Sequence, residues 1–244
     1  MSPDYIGETR DTVKRETGDV PCLFLLGACG ELAPAHQYVG DVAIADALGR
    51  RLGLASVATL ESMMPHGQEL AFDRIVESGA PLAVWSPVTA RPADRQVQGR
   101  ELVLDLPIKP DYPTMDEIQA GLANATEGFE IERWNRKARL RRSLGDAPTY
   151  PFHVWSWRVG DTVFVGWPGE AFSEAQTRLR NAFPHLAIVV MNVVNGTIGY
   201  LPQDHWFDED MYEVWQTPLE RGCFETLVQA TIDSIHSGEE SRPA

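Results

Sequence analysis

The stretch Phe152-His-Val-Trp-Ser-Trp-Arg-Val-Gly160-Asp-Thr-Val-Phe-Val-Gly-Trp-Pro-Gly-Glu170 sets the fold class. It holds two runs rich in β-branched and aromatic residues, Phe152 to Val159 and Thr162 to Gly166, separated by Gly160-Asp161. Two residues of that type between such runs predict a hairpin. The second run stops at Trp167-Pro168-Gly169-Glu170, and a helical pattern follows with Phe172, Ala175, Leu179 and Phe183 at three- and four-residue spacing. Leu186 to Val194 is then a nearly continuous apolar run, as expected of a strand covered on both faces. Strand, helix and strand in this order predict a mixed α/β domain with sheets covered by helices.

Toward the N-terminus, residues 4 to 17 predict a short helix. Pro21-Cys-Leu-Phe-Leu-Leu26 predicts a buried strand stopping at Gly27. After Pro34, Val42, Ala45, Leu48, Leu52 and Ala55 mark a long helix ending before Pro65. Pro81 to Trp85 and Glu101 to Leu106 read as strands, with turns at Gly79, Pro92 and Gly99. Thr114 caps a helical region reaching about Ser143, with Asp116 and Glu117 in its first turn. The second half of that region carries Arg133, Arg136, Lys137, Arg139, Arg141 and Arg142. Such a run is a solvated helix face, or in an acidic chain a surface for an acidic segment. Toward the C-terminus, an acidic, aromatic loop from Pro202 to Trp215 precedes a last helix at roughly 218 to 236, and a polar tail begins at Ser237. We expect one domain over residues 1–238, incomplete on its N-terminal side, and a tail over 239–244.

The 244 residues are 43% hydrophobic and 23% charged, which excludes disorder, collagen and coiled coil. Thirty-five acidic residues against 21 basic ones leave a charge of -14, which argues against nucleic acid as a partner. No apolar run approaches the roughly 20 residues of a membrane span. The start lacks the basic and apolar regions of a signal peptide, so a cytoplasmic location is expected. Cys22, Cys29 and Cys223 form no CxxC and fit reduced thiols.

Three loops leave strand ends with unusual residues: Gly27-Ala-Cys-Gly-Glu-Leu-Ala-Pro34, Trp167-Pro-Gly-Glu170 and Asn195-Gly-Thr-Ile-Gly-Tyr200. They are candidates for one pocket, since a rigid sheet aims such loops. The first is a turn around a buried cysteine or a set of amides for an oxyanion. Glu170 suits a helix cap, and Tyr200 suits a core position with a wet hydroxyl. The six histidines show no HxH, HxxxH or HExxH spacing, and there is no GxSxG elbow. His205 is either an exposed loop histidine or a site residue. Asp204, Asp208, Glu209, Asp210 and Glu213 read as a solvated acidic loop, without EF-hand spacing.

Together, Phe24-Leu-Leu-Gly-Ala-Cys-Gly-Glu-Leu-Ala-Pro34, Val159 to Glu170, Asn195 to Pro202 and Met211-Tyr-Glu213 resemble, in this order, the catalytic domain of the neutral/alkaline non-lysosomal ceramidase family. The resemblance is greatest to bacterial ceramidase-like proteins of unassigned substrate, and it spans nearly the whole chain. It implies hydrolysis of a linear amide (N-acyl) bond with one zinc ion held by two histidines, a glutamate and a tyrosine. By the motif positions, the glutamate matches Glu170 and the tyrosine, five residues after Asn195, matches Tyr200. Gly27, Gly30, Glu31, Asn195, His205 and Tyr212 are candidates for lining the pocket.

The chain departs from the family in that the segments bearing the two histidines would precede Phe24, where no room exists for them, and the reactive serine of the family falls on Gly27. Two protein ligands are fewer than the three that catalytic zinc sites use. A second chain, an N-terminal half, or a homo-oligomer is therefore expected to complete the site, for a small amide rather than ceramide. Two alternatives stay open: a site rebuilt with His205 or His36, and a non-catalytic binding or assembly protein on the same scaffold.

Overall fold

A computed structural model describes residues 3–90, 92 and 96–240. Two compact units comprise residues 1–24 with 34–95, and residues 25–33 with 96–244.

In the first unit, α1 (Asp4–Thr17) packs against α2 (Val42–Glu61). Gly49 and Gly53 are the buried residues of α2. A Cβ on Gly53 would stand 2.7 Å from Thr12 Cβ, so only glycine admits this approach. Thr9 Oγ1 donates to Gly49 O at 3.0 Å across the same seam. The expected apolar stripe is not the packed face, since Val42 and Leu52 are exposed. Small residues, by letting backbones meet, decide the seam instead. An antiparallel hairpin follows, β1 (Gln68–Glu77) and β2 (Pro81–Thr89), turning at Gly79 in the left-handed region, φ 75°. Its Phe72 and Trp85 meet edge to face with ring centroids 6.1 Å apart, yet both are more than half exposed.

The expected strand at Pro21–Leu26 is absent; the segment is irregular and Leu23 is exposed. Pro21 brings no amide proton to a ladder, and one bond, from Asn192 N to Leu26 O at 2.8 Å, ties its end. Gly99 lies inside a strand rather than at a turn. The turn expected at Pro92 falls on residues 91–95, of which Pro92 alone is described.

The second unit is built on β3 (Val97–Pro107), the helices α3 (Met115–Asn124) and α4 (Gly128–Leu144), then β4 (Thr149–Val159) and β5 (Thr162–Gly166). Next come β6 (Glu170–Ala171), α5 (Glu174–Ala182), β7 (Ala187–Met191), β8 (Tyr200–Leu201), a 3-10 turn at Asp204–Asp208, α6 (Tyr212–Gln216) and α7 (Cys223–Glu240). The main sheet has the order β3-β4-β5-β7, antiparallel except for the β5·β7 pair. The hairpin at Gly160-Asp161 is present as expected. The region 114–143 divides into two helices. Thr114 caps α3 in a capping box with Glu117, and Glu127 starts α4.

Phe152, Val154, Val163, Val165, Ile188 and Val190 alternate onto one sheet face. There they share a core with Phe172, Leu179 and Phe183 around α5 and with Phe224, Leu227 and Val228 of α7. Each fully buried aromatic or leucine side chain contributes about 1.5–3 kcal/mol. The last helix outruns its predicted end: residues 237–240 are helical rather than tail, because Glu239 accepts from Arg158 at 3.3 Å and lies 3.0 Å from His185 Nε2. Residues 241–244 of the expected tail lie outside the described residues. The three cysteines are free thiols.

Candidate functional site

A mutual set of backbone bonds draws the three loops together in the second unit. Gly30 N donates to Ala171 O at 3.0 Å, Val193 N to Gly169 O at 3.1 Å, and Val194 N to Trp167 O at 2.9 Å. Ile198 N donates to Pro168 O at 2.9 Å and Glu170 N to Gly199 O at 2.8 Å. At the centre stands Asn192, 4% exposed. Its Oδ1 accepts from Trp167 Nε1 at 2.8 Å and from Ala171 N at 3.3 Å, while Nδ2 donates to Ala171 O at 3.0 Å. Glu31 joins as a clamp: its carboxylate accepts from Ser173 N at 2.8 Å and from Ser173 Oγ. Gly30 permits the approach, since a Cβ there would lie 2.5 Å from Glu170 O. Val193 and Asn195 sit in the left-handed region, φ 61° and 58°. That conformation is costly for a β-branched side chain, and the surrounding bonds hold it.

The outcome of this stitching is the two-residue parallel ladder of β6 and β8, in which Glu170 lies directly opposite Tyr200. Adjacent ladder positions send their side chains to the same face. Both line a cleft of about 280 Å³ together with Arg136, Arg139, Leu140 and Ser143 of α4, Thr197, Gly199, Tyr212 and Gln216. Tyr212 meets Tyr200 edge to face at 5.9 Å. Arg136 Nη1 donates to Tyr212 Oη at 2.6 Å.

Burial pushes the Glu170 carboxyl up from its ordinary range; Arg136 opposes the rise and Glu213 adds to it. Burial pushes the Tyr200 phenol up to about 12, with Glu170, Tyr212 and Glu213 adding and Arg136 opposing. Cys29 is raised by burial, then by the charge of Glu170. A carboxyl and a phenol thus stand side by side in the lining of one cleft, each favouring its protonated form through burial unless a cation compensates the charge.

Of the residues singled out from sequence, Glu170, Tyr200 and Tyr212 line this cleft, while Gly27, Gly30, Glu31, Asn195 and His205 are not among its lining residues. Gly30 and Glu31 serve behind it as packing and clamp. His205 sits in the 3-10 turn, exposed, with its ring tilted over Trp206 at 4.7 Å. His36 belongs to the first unit. Among the described residues, no three His, Cys, Asp or Glu side chains converge as a metal set. The acidic loop is tied rather than simply solvated: Arg221 binds Asp208 and approaches Asp204 at 3.6 Å, and Asp210 accepts from Trp215 Nε1 at 3.0 Å.

Sequence reasoning missed α4 as a wall of the cleft. Its signal was the spacing of Arg136, Arg139, Leu140 and Ser143, which puts them on one helical face.

No family model and no curated protein matches the chain by sequence. Its fold is that of part of neutral ceramidase. The neutral ceramidase of Pseudomonas aeruginosa is similar over the whole of this chain and 42% of its own, with 16% identity and a TM-score of 0.62. A ceramidase complexed with C2 is similar over the whole chain and 43% of its own, with 13% identity and a TM-score of 0.60. The chain therefore spans less than half the length of these structures. Among the described residues, no helix is long and apolar enough to cross a membrane.

Proposed function

We propose that this chain contributes Glu170 and Tyr200 to the zinc centre of an amide hydrolase, the two remaining ligands being histidines supplied by another chain or segment. The observation that carries this reading is the pairing of Glu170 with Tyr200 on adjacent strands at the wall of one cleft. Their chemistry fits half of a four-ligand set, because zinc accepts carboxylate and phenol oxygen, and a cation between them would reverse the protonation that burial favours. When bound, zinc polarises a carbonyl oxygen and makes water nucleophilic near neutral pH.

The chain's own groups prepare that cleft. Arg136 sets its charge against Glu170 and donates to Tyr212, leaving the Tyr212 hydroxyl proton free to be donated into the cleft. The Asn192 bonds hold the strand that carries Glu170. A partner is supported by the β1–β2 hairpin, where Leu70, Phe72, Ile75 and Trp85 are each more than half exposed, an apolar surface of the kind that protein contacts cover.

The test is zinc content of the full chain co-expressed with a histidine-bearing partner. About one zinc per chain is expected, lost in both Glu170→Gln and Tyr200→Phe with folding retained, since each change removes a ligand and little volume. Full zinc in both variants would overturn the assignment.

A further inference from the structure

The basic run of α4 resolves into separate jobs. Arg141 donates to the carbonyls of Tyr112, Pro113 and Gly145 at 2.8, 3.0 and 3.0 Å, a structural clamp. Arg133 lies over the rings of Phe129 and Trp215, and Lys137 over Trp134. Arg136 and Arg139 alone in this run line the cleft that holds Glu170 and Tyr200. Both turn to a single acceptor, Glu132 Oε1, at 3.0 and 3.1 Å. The two guanidinium groups thus share one close carboxylate, Glu132, with Glu170 in the lining of the same cleft, and neither has a carboxylate of its own at ion-pair distance among the described residues.

We propose that Arg136 and Arg139 receive a carboxylate on the amide substrate, which makes the substrate class an N-acyl amino acid or similar monoanion instead of a neutral lipid amide. A guanidinium fork matches a carboxylate's two oxygens. With Glu132, Glu170 and Glu213 nearby, repulsion bears twice as heavily on a phosphate dianion as on a carboxylate monoanion, so the monoanion is the better fit. The word amide rests on the reading in the preceding subsection, and the anion site does not.

The full chain, without metal, is titrated with N-butyrylglycine, with its neutral amide N-butyrylglycinamide, and with a phosphate monoester of N-butyrylethanolamine, following the arginine Nε–Hε and backbone resonances by NMR. The carboxylate is expected to bind about fivefold tighter than the neutral amide, as befits partly exposed charge-assisted bonds, and to weaken as salt rises. The preference should fall below about twofold in Arg136→Gln/Arg139→Gln and in Arg139→Gln alone, which leaves the Arg136–Tyr212 bond in place, and persist in Arg142→Gln on the same helix. No saturable shift with the carboxylate, equal binding of the neutral amide, tighter binding of the phosphate, or a preference surviving both arginine changes would each overturn it. Loss of this preference leaves zinc content untouched as a test, and full zinc in Glu170→Gln leaves the anion preference standing, so the two readings fail separately.

Discussion

Replacing Asn192 with alanine tests whether the site is held by one buried amide. In the β6·β8 ladder, Glu170 N bonds Gly199 O and Phe172 N bonds Leu201 O, so Ala171 N points away from β8 and toward Asn192. The indole of Trp167, fully buried, donates to the same Oδ1 at 2.8 Å. Asn192→Ala therefore orphans two buried N–H donors, while Ala171 O keeps its bond from Gly30 N at 3.0 Å. At about 1–3 kcal/mol for each orphaned donor, the expected loss is about 3–4 kcal/mol. Urea unfolding of the full chain followed by far-ultraviolet circular dichroism measures it. In a Trp167→Phe background one of the two donors is already gone, so Asn192→Ala should cost at least about 1 kcal/mol less there. A loss below about 1 kcal/mol, or additive single costs, would refute the reasoning.

Gly30→Ala would set a Cβ 2.5 Å from Glu170 O and 2.9 Å from Phe172 Cδ1, neither of which can swing away. It should cost about 1–3 kcal/mol and shift the Glu170 and Tyr200 resonances; an unchanged melting temperature would count against the packing role. Tyr112 is buried and its hydroxyl finds no hydrogen-bond partner among the described residues. Tyr112→Phe should therefore be neutral or stabilising by up to about 1 kcal/mol in urea unfolding. Burial also pushes the Tyr112 phenol from 10.0 up to about 12, with Arg141 opposing, so the folded chain keeps a proton that the unfolded chain releases. That contribution is whole below pH 10 and is lost as pH rises through about 12, and the phenylalanine variant should lose less stability across that window.

The local chemistry of the chain was legible along its length. Gly160-Asp161 specifies the hairpin because two residues with that conformational freedom suffice to reverse a strand. Thr114 and Glu117 specify the start of α3 through their own reciprocal bonds. The Phe172, Ala175, Leu179 and Phe183 spacing specifies which side of that segment is buried. The three loops were also recognisable, because glycine and proline at strand ends mark where backbone can bend toward a site.

What failed were judgements that depend on neighbours far away in sequence. Pro21–Leu26 has the composition of a strand but no ladder to join, and Val42 and Leu52 have the spacing of a core stripe while Gly49 and Gly53 make the actual seam. The motif resemblance names Glu170 and Tyr200 together, but that they lie directly opposite each other, 30 positions apart in the chain, is decided by the ladder. The α4 arginines likewise gained a meaning only when folding brought that helix beside Tyr200 and Tyr212. Sequence determined the elements and the donor types, since turn chemistry and side-chain period act over a few residues. Tertiary structure alone decided which donors share a cleft and which charges stand beside them, because Coulomb and hydrogen-bond terms depend on distances in space.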